Sequence, residues 1–450
     1  MAIDASTRSE SSVSTMENGT CNTTEIKCYK RRFWMLFLFS TTSFLCGVLY
    51  TQYVGMADLN CCYYGVSQDA VNWTSMMFMV VYLVGVLPAS VIINYIDLRW
   101  TVILGALFNT ISSTVQLATL KPNGFPFVLV SSFFASLSEV AVLGIPPFIA
   151  SRWFPSNELS RACAFGVFGN QLGVGIGFIL SPLLVSSDCT KKEEIEFGKR
   201  NEAILLTAVN AVVLILAITT FQNSPKHPPS LNEMEKKSEA SQSMLKVIFR
   251  MLKNLHFILV LVVYGLMAGS YFAFATTLND MMLHYFPNCS VEIGWMGLLF
   301  IATGLVGSIF AGWLLDVTHK YKEIYMGICI LTFLLYILFS ALLLVDKLWV
   351  QFLITGILGL FMTSFLPVGF EFGIEVTFPE SEIISAMLLN ASSMGFGILI
   401  TEVVSRILDT KGPIWSNASF CIVLLLCCII SSFITTEYKR LKKNKETLEK

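Results

Sequence analysis

Charge is what this sequence lacks. Lys, Arg, Asp and Glu make up 14% of its 450 residues, against about 25% in an ordinary water-soluble domain. So few ionic groups cannot cover a surface that faces water on all sides. Acids and bases nearly cancel, to a formal net charge of −1, which excludes the bulk positive field that draws proteins to nucleic acid. Histidine is scarcer still, at four residues: His227, His256, His284 and His319. The 12 cysteines show no CxxC pairs or Cys/His spacing of the kind that holds zinc. No Gly-rich loop ends in Lys-Ser or Lys-Thr, so nothing indicates an ATP-driven pump. Neither a nucleophile elbow nor an HExxH run points to a hydrolase. No catalytic residue, metal or cofactor is expected. The first 26 residues lack the apolar core of a signal peptide and, rich in Ser and Thr, read as a disordered tail.

What is there is apolar length. Hydrophobic residues account for 54% of the chain, 35 of them Phe. Runs long enough to span a bilayer, about 20 residues each, fall near 33–54, 72–95, 100–119, 126–150, 160–184 and 202–222. They resume near 255–279, 293–316, 323–345, 348–373, 383–408 and 416–436. The expected class is therefore an all-α membrane protein with about twelve transmembrane helices. Its parts are a tail (1–32), a six-helix bundle (33–222), a polar linker (223–254), a second six-helix bundle (255–436) and a basic tail (437–450). Six plus six around a basic linker is the layout of transporters built from repeated halves. Basic clusters at Lys27–Arg32, in the linker and at Lys439–Lys445 put both termini in the cytoplasm. Loop 185–201, with Lys191, Lys192, Lys199 and Arg200, is an outside exception.

Cys61, Cys62, Cys189 and Cys289 fall in loops on that outer side, where a disulfide can form but spacing alone cannot pair them. Asn288 and Asn417 head outer glycosylation sequons, and are either modified or too close to the membrane. The sequons at Asn18, Asn22 and Asn390 should be silent, being cytoplasmic or inside a span.

Polar residues at membrane depth are the functional candidates. Glu139 lies mid-way along the fourth span among Ala135, Ser136 and Ser138. Its carboxylate could bind a cation or a proton, or simply bond a neighbouring helix. Asn170 and Gln171 sit within FGNQLGVGIGF, whose glycines let helices approach closely, and either line a pathway or join helices. Glu402 and Arg406 are spaced as an i, i+4 pair, a sufficient structural account. Tyr50, Tyr53, Tyr271 and Phe272 occupy the outer halves of spans one and seven. They form either an interfacial belt or rings that attract a cation. Asp97 and Arg99, and in the second half Asp316 and Lys320, stand at helix ends where small residues precede an acid and a base, as in a latch between helices.

The segments MTSFLPVGFEFGIEVTFPESE (362–382), LLNASSMGFGI (388–398), VLGIPPFIASRWF (142–154), FGNQLGVGIGF (168–178), YGLMAG (264–269) and GLVGSIFAGWLLD (304–316) closely resemble the FLVCR family (feline leukaemia virus subgroup C receptor) of the major facilitator superfamily. The likeness runs from Tyr29 to about Leu408. It implies the superfamily's two-bundle fold, and facilitative transport of choline, or in some members ethanolamine, at the plasma membrane. Haem export has also been assigned to the family. In the family's site, a Trp of the first span and a Tyr of the seventh cage the ammonium. Two Gln, of spans four and eleven, and an Asn of the fifth assist. The matching positions here are Tyr50, Phe272, Glu139, Met394 and Asn170, with Gln171 adjacent. The cage stays aromatic but loses its strongest π face, and an amide is exchanged for a carboxyl. A small cationic substrate is expected; haem or porphyrin export and a transport-inactive receptor or sensor are the alternatives.

Overall fold

The computed structural model describes residues 12–13, 24–25, 29–155, 158–186, 188–225, 227, 244–287, 289–345, 347–378, 380 and 382–434. Within the N-terminal tail two short strands, β1 (Ser12–Val13) and β2 (Thr24–Glu25), pair antiparallel. Among the described residues, all other regular elements are helical. The first half holds α1 (Arg31–Thr51), α2 (Ala57–Tyr64), α3 (Gln68–Tyr95), α4 (Leu98–Val115), α5 (Phe125–Val142), α6 (Pro146–Trp153), α7 (Leu159–Leu184) and α8 (Lys192–Thr220). After a short helix, α9 (Met244–Met251), the second half holds α10 (Leu255–Tyr285), α11 (Ser290–Thr318), α12 (Tyr321–Leu342), α13 (Leu348–Thr377), α14 (Glu382–Lys411) and α15 (Pro413–Ser432). Among the described residues, twelve helical segments are long and apolar enough to cross a bilayer. Helices are what an apolar chain must form there, because each backbone N–H and C=O finds its partner within the segment.

The outer faces confirm the solvent. On α11, Val306, Ile309, Phe310, Trp313 and Val317 are all exposed at helical spacing, an apolar stripe suited to lipid.

Three helix ends differ from the sequence expectation. The first span runs on beyond residue 54: α1 stops at Thr51, a 3₁₀ turn follows (Val54–Met56), and α2 carries the span to Tyr64. Gly65, in the left-handed region at φ 66°, ends it. The fourth span ends at Val142 rather than 150, and α6 begins afresh with Pro146 in its first turn, where no N–H is needed. The sixth begins at Lys192, not 202, so most of the supposed outer loop is helix and Lys199 turns inward.

Within the first half α1 packs along α7; within the second α11 packs on α13 and α10 on α14. The α1–α7 contact depends on glycine. A Cβ at Gly47 would collide with the Asn170 carbonyl, and one at Gly173 with the Phe44 carbonyl. The halves meet through α7 against α11 and α3 against α14. The end of the bundle that carries α9, the start of α1 and the end of α15 is called the near end, its opposite the far end.

At the far end Cys62 of α2 is bonded to Cys189, just before α8, across 127 residues of sequence. Cys61 and Cys289 stay free. Asn417 is buried and its side-chain oxygen accepts from Tyr336 Oη at 2.9 Å, so the fold closes that sequon; Asn288 lies outside the described residues. On the chain-entropy account, a crosslink closing a loop of about 100 residues stabilises by at most roughly 5 kcal/mol. Reductant should therefore lower the melting temperature of the purified wild type by several degrees, and leave a Cys62→Ser/Cys189→Ser double variant unmoved. Equal insensitivity of both would mean that the bond does not form.

Candidate functional site

Where α1 ends, its last ring faces the other half. Tyr50 stands edge-on to Phe78 of α3, with centroids 5.0 Å apart at 78°. It also stands edge-on to Phe272 of α10, 6.5 Å away at 88°. Perpendicular rings of this kind pair positive edge to negative face. The two sequence-predicted aromatics are thus brought together across the interface of the halves. Tyr50 is 8% exposed, yet its hydroxyl has no hydrogen-bond partner. The Thr276 hydroxyl beside it donates instead to the Phe272 carbonyl at 2.9 Å.

Glu139 of α5 lies next to this pair. It accepts from Cys46 Sγ at 2.9 Å and from Asn170 Nδ2 at 3.4 Å, and is within electrostatic reach of the Tyr50 and Tyr82 hydroxyls. Cys46 sits one helical turn before Tyr50, so both share the face of α1 that looks inward. The Asn170 amide also reaches the Ser43 carbonyl at 3.4 Å, a contact that the close α1–α7 approach permits. Gln171 parts company with its neighbour. It accepts from Tyr271 Oη at 3.2 Å and so joins α7 to α10, while the Tyr271 ring stacks on Phe300 at 5.6 Å. Met394 of α14 is buried with Met79, Tyr82 and Val86 of α3, against Phe272.

Tyr53 is not part of this group. It lies past the break in the first span and packs with Met56, Leu59, Tyr63 and Tyr64 at the far end. Phe78, Cys46 and Tyr82 belong to the site and were not foreseen. The i, i+4 spacing of Phe78 and Tyr82 on one face of α3 was the available signal.

Asp97 and Arg99 do not pair with each other. Asp97 accepts from Asn223 Nδ2 at 2.9 Å, Arg152 donates to Asn223 Oδ1 at 2.6 Å, and Arg99 donates to the Ile218 carbonyl at 2.8 Å. These bonds tie the α3–α4 turn and α6 to the end of α8. Lys320 is exposed, and the Asp316 side chain lies outside the described residues. Glu402 and Arg406 form the expected ion pair, 2.5 Å apart.

A separate small cavity of about 30 Å³ lies inside the first half, lined by Gln52, Asn60, Gln116, Lys199 and Glu202 among others. Lined by one bundle alone, it would not change sides if the halves rocked. The interface site is therefore the better candidate.

A family model described as Major Facilitator Superfamily matches residues 32–327 and 260–450. The human "Choline/ethanolamine transporter FLVCR2" is 37% identical over 426 residues, covering 94% of this chain and 81% of that protein. The cat "Choline/ethanolamine transporter FLVCR1" is 34% identical, covering 91% and 74%. Among solved structures, an inward-facing, unoccupied bacterial homolog of the human lysosomal transporter Spinster superposes with a TM-score of 0.68 at 14% identity, over 90% of this chain and 97% of that one. The E. coli fucose:proton symporter does so at 0.63 and 13%, over 91% and 100%. These two likenesses speak for the fold alone.

Glu139 has a structural duty whatever it binds. Glu139→Ala would take one acceptor from the Asn170 amide, which keeps the Ser43 carbonyl, and one from the Cys46 thiol, which keeps the Ala135 carbonyl at 3.6 Å, at a cost of about 1–3 kcal/mol for the buried N–H left unpaired. Glu139→Gln keeps an acceptor in place. The Ala variant should melt below wild type in detergent and the Gln variant close to it; an Ala variant as stable as wild type would show that these groups reach water.

Proposed function

Given that the chain belongs to the major facilitator superfamily and, within it, to the family of the FLVCR choline/ethanolamine transporters, we propose that it carries a small organic cation, choline or a related amine such as ethanolamine, down its gradient. The observation that carries this reading is the perpendicular Tyr50–Phe272 pair with the Glu139 carboxyl beside it. Aromatic faces attract an ammonium without demanding N–H donors. A carboxylate adds charge in a region of low dielectric, where it counts for more than in water. The unpartnered Tyr50 hydroxyl suits the alcohol that choline and ethanolamine share.

For transport the halves would rock about this interface and open it to each side in turn. Hydrogen bonds from Asn279 to the Gly55 carbonyl (3.1 Å) and from Ser290 to Asp58 (2.8 Å) hold the far end together here. We read both termini and the linker as cytoplasmic: Arg31, Arg32, Arg99, Arg152 and Arg250 stand at the near end, and excess basic residues mark the cytoplasmic side. The Cys62–Cys189 bond at the far end agrees, since disulfides persist outside the reducing cytosol. A plasma-membrane location fits this arrangement. Haem export finds less support: none of the four histidines lies among the site residues, and Met394 is packed in apolar side chains.

Uptake of labelled choline and ethanolamine into proteoliposomes tests the reading. Tyr50→Ala should weaken substrate binding by about 1–2 kcal/mol, the range for a desolvated cation–π contact. Unchanged binding would remove the ring from the site. Protonating Glu139 removes the charge that a cation meets, so binding should weaken as pH falls from about 8 to 5.5. Glu139→Gln should flatten that profile. Identical profiles in the two proteins would leave Glu139 a neutral structural group.

A further inference from the structure

Beyond the aromatic pair, a second set of charged groups lies further along α10, the helix that carries Phe272. Asp280 of α10 is eight residues past Phe272, about 12 Å further toward the far end at 1.5 Å per residue. It accepts from Asn72 Nδ2 at 3.0 Å and from Gln68 Nε2, both on α3. The Asn72 amide also donates to Ser405 Oγ of α14 at 3.1 Å. Asp58 and Asp409 lie within electrostatic reach of Asp280, and Asp69 of Asp409. Acids from both halves thus converge on one mouth, and among the described residues none of the four forms an ion pair.

A second observation says what is missing there. Asn72 and Asn279 are 1% and 2% exposed, and the Oδ1 of each has no partner. Their amide nitrogens are committed, Asn72 to Asp280 and Ser405, Asn279 to the Gly55 carbonyl, so these oxygens are true acceptors without donors. Asp58 Oδ1 is likewise unpartnered. The mouth therefore offers carboxylates and acceptors but is short of donors. Buried acceptors of this kind call for N–H groups.

Resting on the transport reading above, we propose that Asp280, with Asn72 and Asp58, forms a second cation site at the far mouth that selects a primary ammonium over a quaternary one. To reach Asp280, a cation must displace the Asn72 or Gln68 amide. A primary ammonium replaces those N–H donors bond for bond and can also satisfy Asn72 Oδ1. A quaternary ammonium brings charge but no N–H, so it leaves the displaced oxygens unsatisfied. The Tyr50 and Phe272 rings attract either kind of ammonium, so the acceptors around Asp280 add a discrimination that the rings do not supply.

The test is the ratio of kcat/KM for ethanolamine and choline in proteoliposomes holding wild type, Asp280→Asn or Asp58→Asn. Hydrogen bonds to a charged group contribute enough that Asp280→Asn should cut the ethanolamine value by about tenfold or more, with choline changed far less; Asp58→Asn should move the ratio the same way by less. An equal loss for both substrates, or an unchanged ratio, overturns the proposal. A binding arm runs beside it: ethylammonium should raise the melting temperature of wild type and lose that effect in Asp280→Asn, whereas tetramethylammonium should act alike on both. If wild type carries neither choline nor ethanolamine, the transport reading falls and the binding arm still decides this one. An ethylammonium shift that survives in both Asp280→Asn and Asp58→Asn overturns it, and the Asp58 variant carries the test if the Asp280 variant does not fold.

Discussion

A polar group that leaves water for a bilayer must find its partner inside the protein, and this requirement organises the molecule. It dictates helices for the backbone. It also explains why the helix ends in view are furnished as they are, with proline opening α6 and α15 and left-handed residues closing α2 and α11. The same rule governs side chains at depth. Most hydroxyls turn back onto a carbonyl of their own helix, as Thr42, Ser136 and Thr277 do. Such groups are settled locally and carry no message between helices. The informative ones reach across: Asn109 to the Thr42 carbonyl, Thr51 to the Val174 carbonyl, Gln171 to Tyr271. These fix which helices are neighbours, and they bring Glu139, Asn170 and Tyr50 to one place.

Much of this was legible in the residues. Hydropathy located the twelve spans, because span length is set by bilayer thickness and not by tertiary detail. The Tyr50–Phe272 meeting followed from family resemblance; composition alone left those rings as readily a belt as a cage. Helix ends were less legible. The fourth span reads as apolar through residue 150, and only Gly144 and the Pro146–Pro147 pair mark the break at its end. Lys192–Arg200 reads as loop because it is charged, yet one of its bases finds partners in the fold. Lys199 donates to Asn60 at 2.6 Å and lies over the Tyr64 ring at 4.2 Å. The disulfide could not be read at all, since pairing Cys62 with Cys189 requires knowing that α2 comes beside the start of α8. Phe78 was missed for a related reason: in an apolar span one more Phe has no distinguishing mark until the helix facing it is known.

The break at Thr51–Val54 gives the first span two separate attachments. Its near part, α1, is locked to α7 by glycine contacts that leave no room for a Cβ. Its far part, α2, is tied by the disulfide to the α7–α8 connection and by Asp58 to Ser290 of the other half. Tyr50 sits at the end of the first piece, just before the break between them. The break is itself packed on α7: Thr51 donates to the Val174 carbonyl at 2.7 Å, and a Cβ at Gly55 would meet the Phe178 backbone. The ring is thus positioned by contacts on both sides of the break.

The exchange of a stronger π face for a carboxyl also has a physical logic. A Trp cage holds an ammonium by quadrupole attraction, which is short in range and insensitive to pH. Tyr and Phe in its place provide less of that attraction, and Glu139 supplies a charge instead. A charge acts over a longer distance, so it need not touch the cation. Its bonds to Cys46 and Asn170 hold it beside the ring pair, on the first-half side of the interface. Such an arrangement trades geometric selectivity for electrostatic reach: the site asks that its occupant be positive before it asks what shape the head group has. Selection by head-group chemistry asks for groups that read hydrogen-bond donors, and the proposed second site supplies such acceptors around Asp280, about 12 Å away along the same helix that carries Phe272.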